Sequence, residues 1–250
     1  MSKSKTIEEI CRLADIYNNS IYFREDPIIY PKHFAQLLLK GESEFDLPIP
    51  QNYRISLQDV EIAAVVAAHL AWGRRAMIVR DIHKALDEMK WKPFEYVNRG
   101  VYNDCSLSLH RTIKWCEFAS ICRNLRHFYA NHTSLEILTP DEFRTQIYGQ
   151  KSNPKMANKK IHMLRRWMVR NDGRVDLGLW SNISPEELII PLDIHVHNSA
   201  LRLGITKRNS ADFTTAQEIT DFLKLCFPQD PVKGDFALFA YSIENKKGKK

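Results

Sequence analysis

A chain of 250 residues, 44% hydrophobic and 26% charged, can bury a sizeable core and reads as a globular protein of one large domain or two small fused ones. Its net charge of +6 is too modest to name a partner, so the distribution of charge matters more than its total. The opening MSKSKTIEEICRLADIYNN holds acids and no apolar run, and IAAVVAAHLAW (62–72) falls short of the ~20 residues a bilayer span needs; the expectation is a cytoplasmic protein without signal peptide or membrane segment.

The pattern of apolar residues predicts helices over 6–19 and 31–40, the second stopping at Gly41. Residues 41–55 contain Pro48, Pro50 and several acids without a sustained period, and read as a long connection. Ser56 opens a strong helix, SLQDVEIAAVVAAHLAW, with Ser56 and Asp59 spaced as a capping box and small residues that let neighbours approach. Gly73 breaks it, Arg74 and Arg75 follow, and helical spacing resumes over AMIVRDIHKALDEM. Further helices fit 93–98, 107–130 and 140–147, followed by a polar connection at 150–155 and a basic amphipathic helix at 156–170. Ser184 and Pro185 start a short helix over SPEELII. Asp193 stands as the N-cap of a helix that runs to Leu203 and stops at Gly204. Two more helices cover 214–226 and the stretch from Asp235. Few segments alternate with period two, so the fold class is all-α.

Charge concentrates at 151–174, where Lys151, Lys155, Lys159, Lys160, Arg165, Arg166, Arg170 and Arg174 face Asp172 alone, and again in a tail of Lys246, Lys247, Lys249 and Lys250. A solvated helix face and an anionic partner account for the first run about equally well. Trp72 ahead of Arg74 and Arg75 sets an aromatic ring and two guanidinium groups at a helix break, which could meet a phosphate backbone and a displaced base. A tryptophan packed at a helix end beside solvated arginines accounts for the segment about equally well.

Asp193, His195 and His197 alternate, and on a strand they would face one way, as ligands of a first-row metal in a hydrolase do. The helical spacing of IHVHNSALRLG splays them, so no metal and no other cofactor is expected. The five cysteines, Cys11, Cys105, Cys116, Cys122 and Cys226, include no CxxC and read as buried free thiols.

PLDIHVHNSALRLGI (191–205) resembles the segment VDTHV…RV…RLG that ends the helix-hairpin-helix of the DNA glycosylase superfamily of that name. AAHLAWGRRAMI (67–78) resembles the segment that lines the lesion-side groove in those enzymes. LRRWMVRNDGRVDLGLW (164–180), together with IIPLDIHVH, is similar to an uncharacterised bacterial family, a domain of unknown function grouped with the glycosylases nearest to the archaeal 8-oxoguanine type.

The resemblance implies a glycosylase-like unit over 1–250, built from two interlocked helical subdomains: 56–150 in the centre, and 1–55 with 151–250 carrying the aspartate motif. It implies removal of a damaged or mismatched base from DNA by a monomer at the bacterial nucleoid, with Asp193 stabilising an oxocarbenium-like sugar. Lys155, Arg165, Arg166, Arg170, Arg74, Arg75 and His195 would contact nucleic acid, and Trp72 or Trp167 would stack on it.

Two departures from the family pattern stand out. WSNISPEELII has no glycine where the hairpin's phosphate-binding glycines belong, and no lysine lies between Lys160 and Asp193. The amine position falls near Arg166, whose guanidinium cannot be a nucleophile, which leaves Lys159 and Lys160 as alternatives. A binding module that kept the scaffold and lost catalysis is the rival reading. Cys226 stands alone near the C-terminus, so the four-cysteine iron–sulfur loop of some relatives is absent.

Overall fold

The computed structural model describes residues 2–247, with side chains as far as Glu244. The basic tail, Lys246, Lys247, Lys249 and Lys250, lies outside the described side chains. The described residues form eleven α-helices and one two-stranded antiparallel hairpin. No helix among them is long and apolar enough to cross a membrane. The chain divides into two compact units, Met1–Tyr22 with Asn153–Lys250, and Phe23–Ser152.

The continuous unit, Phe23–Ser152, is organised around a buried, largely apolar helix. It contains α2 (Ile29–Lys40), α3 (Leu57–Leu70), α4 (Arg75–Glu88), α5 (Pro93–Arg99), the strands β1 (Ser108–His110) and β2 (Ile113–Lys114), α6 (Trp115–Tyr129) and α7 (Pro140–Glu142), which continues as a π-turn over Phe143–Ile147. The capping box forms as its spacing predicts: Asp59 N–H donates to Ser56 Oγ at 3.3 Å, and Ser56 N–H to Asp59 Oδ2 at 2.9 Å. Beyond the cap, α3 is buried on nearly every face, and α2, α4 and α5 pack against it. Its two acids are fully satisfied inside the core. Asp59 Oδ1 accepts from Tyr53 Oη at 2.7 Å and Phe94 N at 2.9 Å, and Glu61 accepts from Tyr129 Oη at 2.7 Å and Ser134 Oγ at 2.6 Å.

Residues 23–55, expected with the aspartate-bearing subdomain, belong instead to this unit, because α2 packs on α3. The helix expected over 107–130 begins at Trp115. Before it, Arg111 takes φ +55° in a turn closed by Ser108 Oγ donating to its carbonyl at 2.7 Å, and SLH pairs with IK.

The discontinuous unit is assembled from both sequence ends: α1 (Lys3–Tyr17), α8 (Lys159–Val169), α9 (Ile194–Arg202), α10 (Phe213–Leu223) and α11 (Gly234–Lys247). Here α1 and α9 both pack along α11. Ile10, Leu13 and Ala14 from α1 share one core with Val196 and Ala200 from α9, Ile219 and Leu223 from α10, and Leu238 from α11. SPEELII shortens to a single 3-10 turn, Pro185–Glu187, and continues as extended chain to Asp193. Gly234 is required by close approach: a Cβ there would lie 2.4 Å from Leu223 Cδ2, so only glycine lets the start of α11 sit against α10.

Candidate functional site

Three helix starts in the discontinuous unit bring the chemistry together. Asp193 caps α9 in extended conformation (φ −116°, ψ 179°), and its Oδ1 accepts from His195 N at 2.8 Å and Val196 N at 2.9 Å. Both bonds go to one oxygen, so the cap occupies half of a half-buried carboxylate that is held rigidly by the helix. Asp235, the second residue of α11, forms an ion pair with Arg166 Nη1 from α8. Asp193 and Lys159, the first residue of α8, both lie close enough to act electrostatically on Asp235.

The electrostatics of Asp235 follow from these neighbours. Burial pushes its carboxyl up to about 6, Arg166 pulls it down, Asp193 raises it further and Lys159 lowers it. Because the folded-state value is raised, protonation favours the folded chain. This group's contribution to stability is complete below its ordinary value of 3.8 and is lost as pH rises through about 6. In carboxyl-carbon NMR Asp235 is therefore expected to titrate near pH 6, with the midpoint falling in Asp193→Asn and rising in Lys159→Gln. A midpoint indifferent to both substitutions would separate these groups.

Of the two candidate amines, Lys159 belongs to this cluster. Lys160 lies about 100° further round the helix. His195 is partly buried, with Nδ1 3.1 Å from Ser242 Oγ and its ring edge-on to Phe239. His197 is buried, and its Nε2 donates to the Arg208 carbonyl at 2.8 Å. The helix thus sends the three residues of the D-x-H-x-H pattern in different directions, and no group of three or more potential metal ligands occurs among the described residues.

The basic helix is not the open cationic face that its composition suggests. Arg166 and Arg170 are only 6% and 2% exposed, and Trp167 is 1% exposed. Arg166 Nε lies 3.3 Å from Asp176. Arg170 donates to Asp230 through Nε at 2.9 Å and Nη2 at 2.8 Å, reaches Asp172 at 3.2 Å, and pairs with Asp176. Both guanidinium groups also lie over the Phe236 ring, at 4.7 and 5.2 Å. Burial works against the charge on Arg170, but Asp176, Asp230 and Asp172 more than offset it, and the group is held firmly cationic.

Arg166, Arg170 and Trp167, expected at a nucleic-acid surface, are therefore interior residues, and the two arginines pair with Asp172 and Asp176 nearby and with Asp230 and Asp235 far along the chain. Lys155 is exposed, and Arg165, Lys159 and Lys160 are partly exposed. Asp235, which the sequence marked only as a helix start, is the site residue that went unrecognised.

In the continuous unit Trp72 is 39% exposed, with the Arg111 guanidinium 4.4 Å above its ring. Gly73 takes φ +107°, a region disfavoured for any side chain, and a Cβ there would lie 2.5 Å from Arg111 Nη1. Buried His110 donates from Nε2 to the Trp72 carbonyl at 2.9 Å, and its Nδ1 lies 2.7 Å from Asp81, which fixes the break between α3 and α4. Arg74 is exposed, and Arg75 approaches Asp26 loosely at 3.6 Å. The aromatic and cationic residues expected at this break are thus on the surface of their own unit.

The family described as protein of unknown function (DUF2400) matches residues 47–153 and 145–244. No curated protein and no solved structure matches the chain. The two matched segments take in most of the sequence and include α3, the Trp72 break, Lys159, Asp193 and Asp235, and the chain belongs to the DUF2400 family.

Proposed function

We propose that the chain is a DNA N-glycosylase of the base-excision type, with a fold of the helix-hairpin-helix glycosylase kind and Asp193 as its central carboxylate. The observation that carries this reading is the convergence of Asp193, Asp235 and Lys159 from three helix starts, with Arg166 from the last turn of α8 paired to Asp235. Breaking a C1′–N bond sends the electron pair to the departing base and leaves oxocarbenium character on the sugar. A fixed carboxylate oxygen outside the cap stabilises that cation without reorganising. The Arg166 charge would repel the same cation, and Asp235 neutralises it locally. Lys159, as the amine of the cluster, attacks C1′ and forms a Schiff base as the base departs. Extruding the base costs a few kcal/mol, least for a damaged or mismatched pair.

The expected results are binding to lesion-containing duplexes at low salt, excision of at least one damaged base, and borohydride trapping that Lys159→Ala abolishes and Lys160→Ala leaves intact. Affinity is expected to fall linearly with log salt, and Lys155→Glu to reduce that slope by about one. Binding without excision across the panel would favour the non-catalytic module, a reading supported by the glycine-free turn at Pro185–Glu187. No binding at low salt would overturn both.

A further inference from the structure

Four of the five tryptophans, Trp91, Trp115, Trp167 and Trp180, are 4% exposed or less, and Trp72 alone reaches solvent. Its ring is a fixed platform. The His110 ring stands edge-on to it at 5.6 Å, and the same buried histidine holds the Trp72 carbonyl and Asp81. Over the ring lies the guanidinium of Arg111, from the turn between β1 and β2, 4.4 Å from the ring centre.

This contact is built rather than incidental. Arg111 holds φ +55°, a left-handed conformation that glycine adopts freely and arginine only at a cost, so the hairpin keeps a long cationic side chain where a relaxed turn would not. Gly73 leaves the space that the guanidinium fills, since a Cβ there would lie 2.5 Å from Arg111 Nη1. Arg75 and Arg80 have acidic partners in Asp26 and Asp81, whereas Arg111 has no ion pair among the described residues.

We propose that the Trp72 ring is a binding site for one unpaired nucleobase, and that Arg111 and the base exchange places on it. In the free chain the planar guanidinium covers the ring. On binding, the base stacks on Trp72 and Arg111 moves to the adjoining phosphate. Magnitudes decide the exchange: an exposed cation–π contact favours the covered ring by about two- to fivefold, and stacking a base on an aromatic ring is worth about five- to a hundredfold. The displaced cation loses little, because the strand that delivers the base delivers a phosphate with it, and exposed Arg74 and Arg75 follow Trp72 directly. A base stacked within a duplex cannot present its face, so the site selects single-stranded or locally opened nucleic acid, with little preference among bases. This goes beyond the excision reading, since the site belongs to the continuous unit and calls on none of the chemistry of Asp193.

The test titrates the full chain with a short oligothymidylate, and with a strand of the same length in which every base is replaced by an abasic linker. Tryptophan emission reports the ring, and the anisotropy of a terminal label reports binding. The oligothymidylate is expected to quench the exposed indole and shield it from acrylamide, and the abasic strand to bind at least about fivefold more weakly without quenching. Trp72→Phe should keep affinity within about threefold while abolishing the emission change, and Trp72→Ala should lower affinity about tenfold. Arg111→Gln should keep the quenching and reduce the slope of log affinity against log salt by about 0.7, the loss of one single-strand phosphate contact. Emission unmoved at any oligothymidylate concentration, equal quenching by the abasic strand, or an unchanged salt slope in Arg111→Gln overturns the proposal. The wild-type titration needs no variant, so a variant that fails to fold leaves the test intact. Excision of a lesion by a chain whose emission never responds would remove this site and leave the glycosylase reading standing; quenching by a chain that excises nothing would do the reverse.

Discussion

Asp193→Asn is expected to slow base release at least a hundredfold while leaving the melting temperature nearly unchanged. Asparagine caps a helix as well as aspartate does, so the bonds to His195 and Val196 N–H groups survive through the amide oxygen. The substitution removes only the negative charge. Losing a positioned charge that faces a developing cation raises the barrier by about 3 kcal/mol or more, roughly a hundredfold in rate. DNA affinity should persist, because the proposed phosphate contacts come from other residues. Single-turnover excision by wild type and variant on the best lesion found, with thermal melts alongside, makes the measurement. Equal rates would return Asp193 to the role of a cap and favour the binding module.

Arg170→Met is expected to destabilise the chain by about 3–5 kcal/mol, because it leaves buried carboxylates without their counter-charge. For a chain of this size that corresponds to a fall in Tm of roughly 10 °C. Asp176 is buried between Arg166 and Arg170, and its carboxyl is already raised by burial. Asp172 is opposed by burial but held low by its bonds from Arg174, Val175 and Asp176 N–H groups and by Arg170. Since the folded-state value of Asp172 is depressed, its contribution is present above the ordinary carboxyl range and lost as pH falls through it. The gap between wild type and variant should therefore be widest at neutral pH and narrow in acid, where the orphaned carboxylates take up protons. Lys155→Met, on the exposed segment before α8, is expected to stay within about 0.5 kcal/mol of wild type. Chemical denaturation of all three chains at pH 7.5 and pH 4.5 checks both statements, and a wild-type midpoint for Arg170→Met at pH 7.5 would sink the first.

Local patterns carried much of the fold. Asp193 announces itself as a cap because one acid precedes an apolar-periodic run, and the structure starts α9 at the next residue. Gly41 and Gly204 end their helices as expected, with left-handed backbone at each. The β-hairpin escaped because five paired residues do not establish a period, and its turn rests on Arg111 in an unusual conformation. The arginines of α8 were misread for a different reason. Asp172 and Asp176 lie within ten residues of these arginines, but the remaining compensating charges, Asp230 and Asp235, stand sixty or more residues later, beyond any window along the sequence. Asp235 was missed by the same logic, since an acid in the first turn of a helix is common and only its neighbours Arg166, Asp193 and Lys159 make it distinctive.

The assembly of one unit from both sequence ends has a consequence for synthesis on the ribosome. Phe23–Ser152 is continuous, so it can complete its contacts as soon as it has emerged. The other unit cannot. Its first helix, α1, is made early, yet the surface it packs against belongs to α11, more than two hundred residues downstream. During that interval the apolar face formed by Ile10, Leu13 and Ala14 has no native partner. Arg166 and Arg170 likewise emerge before Asp230 and Asp235 exist to neutralise them. Such high contact order makes this unit the slow-folding part of the molecule and the segment most in need of a chaperone's shelter, with the last helix acting as the latch that completes it.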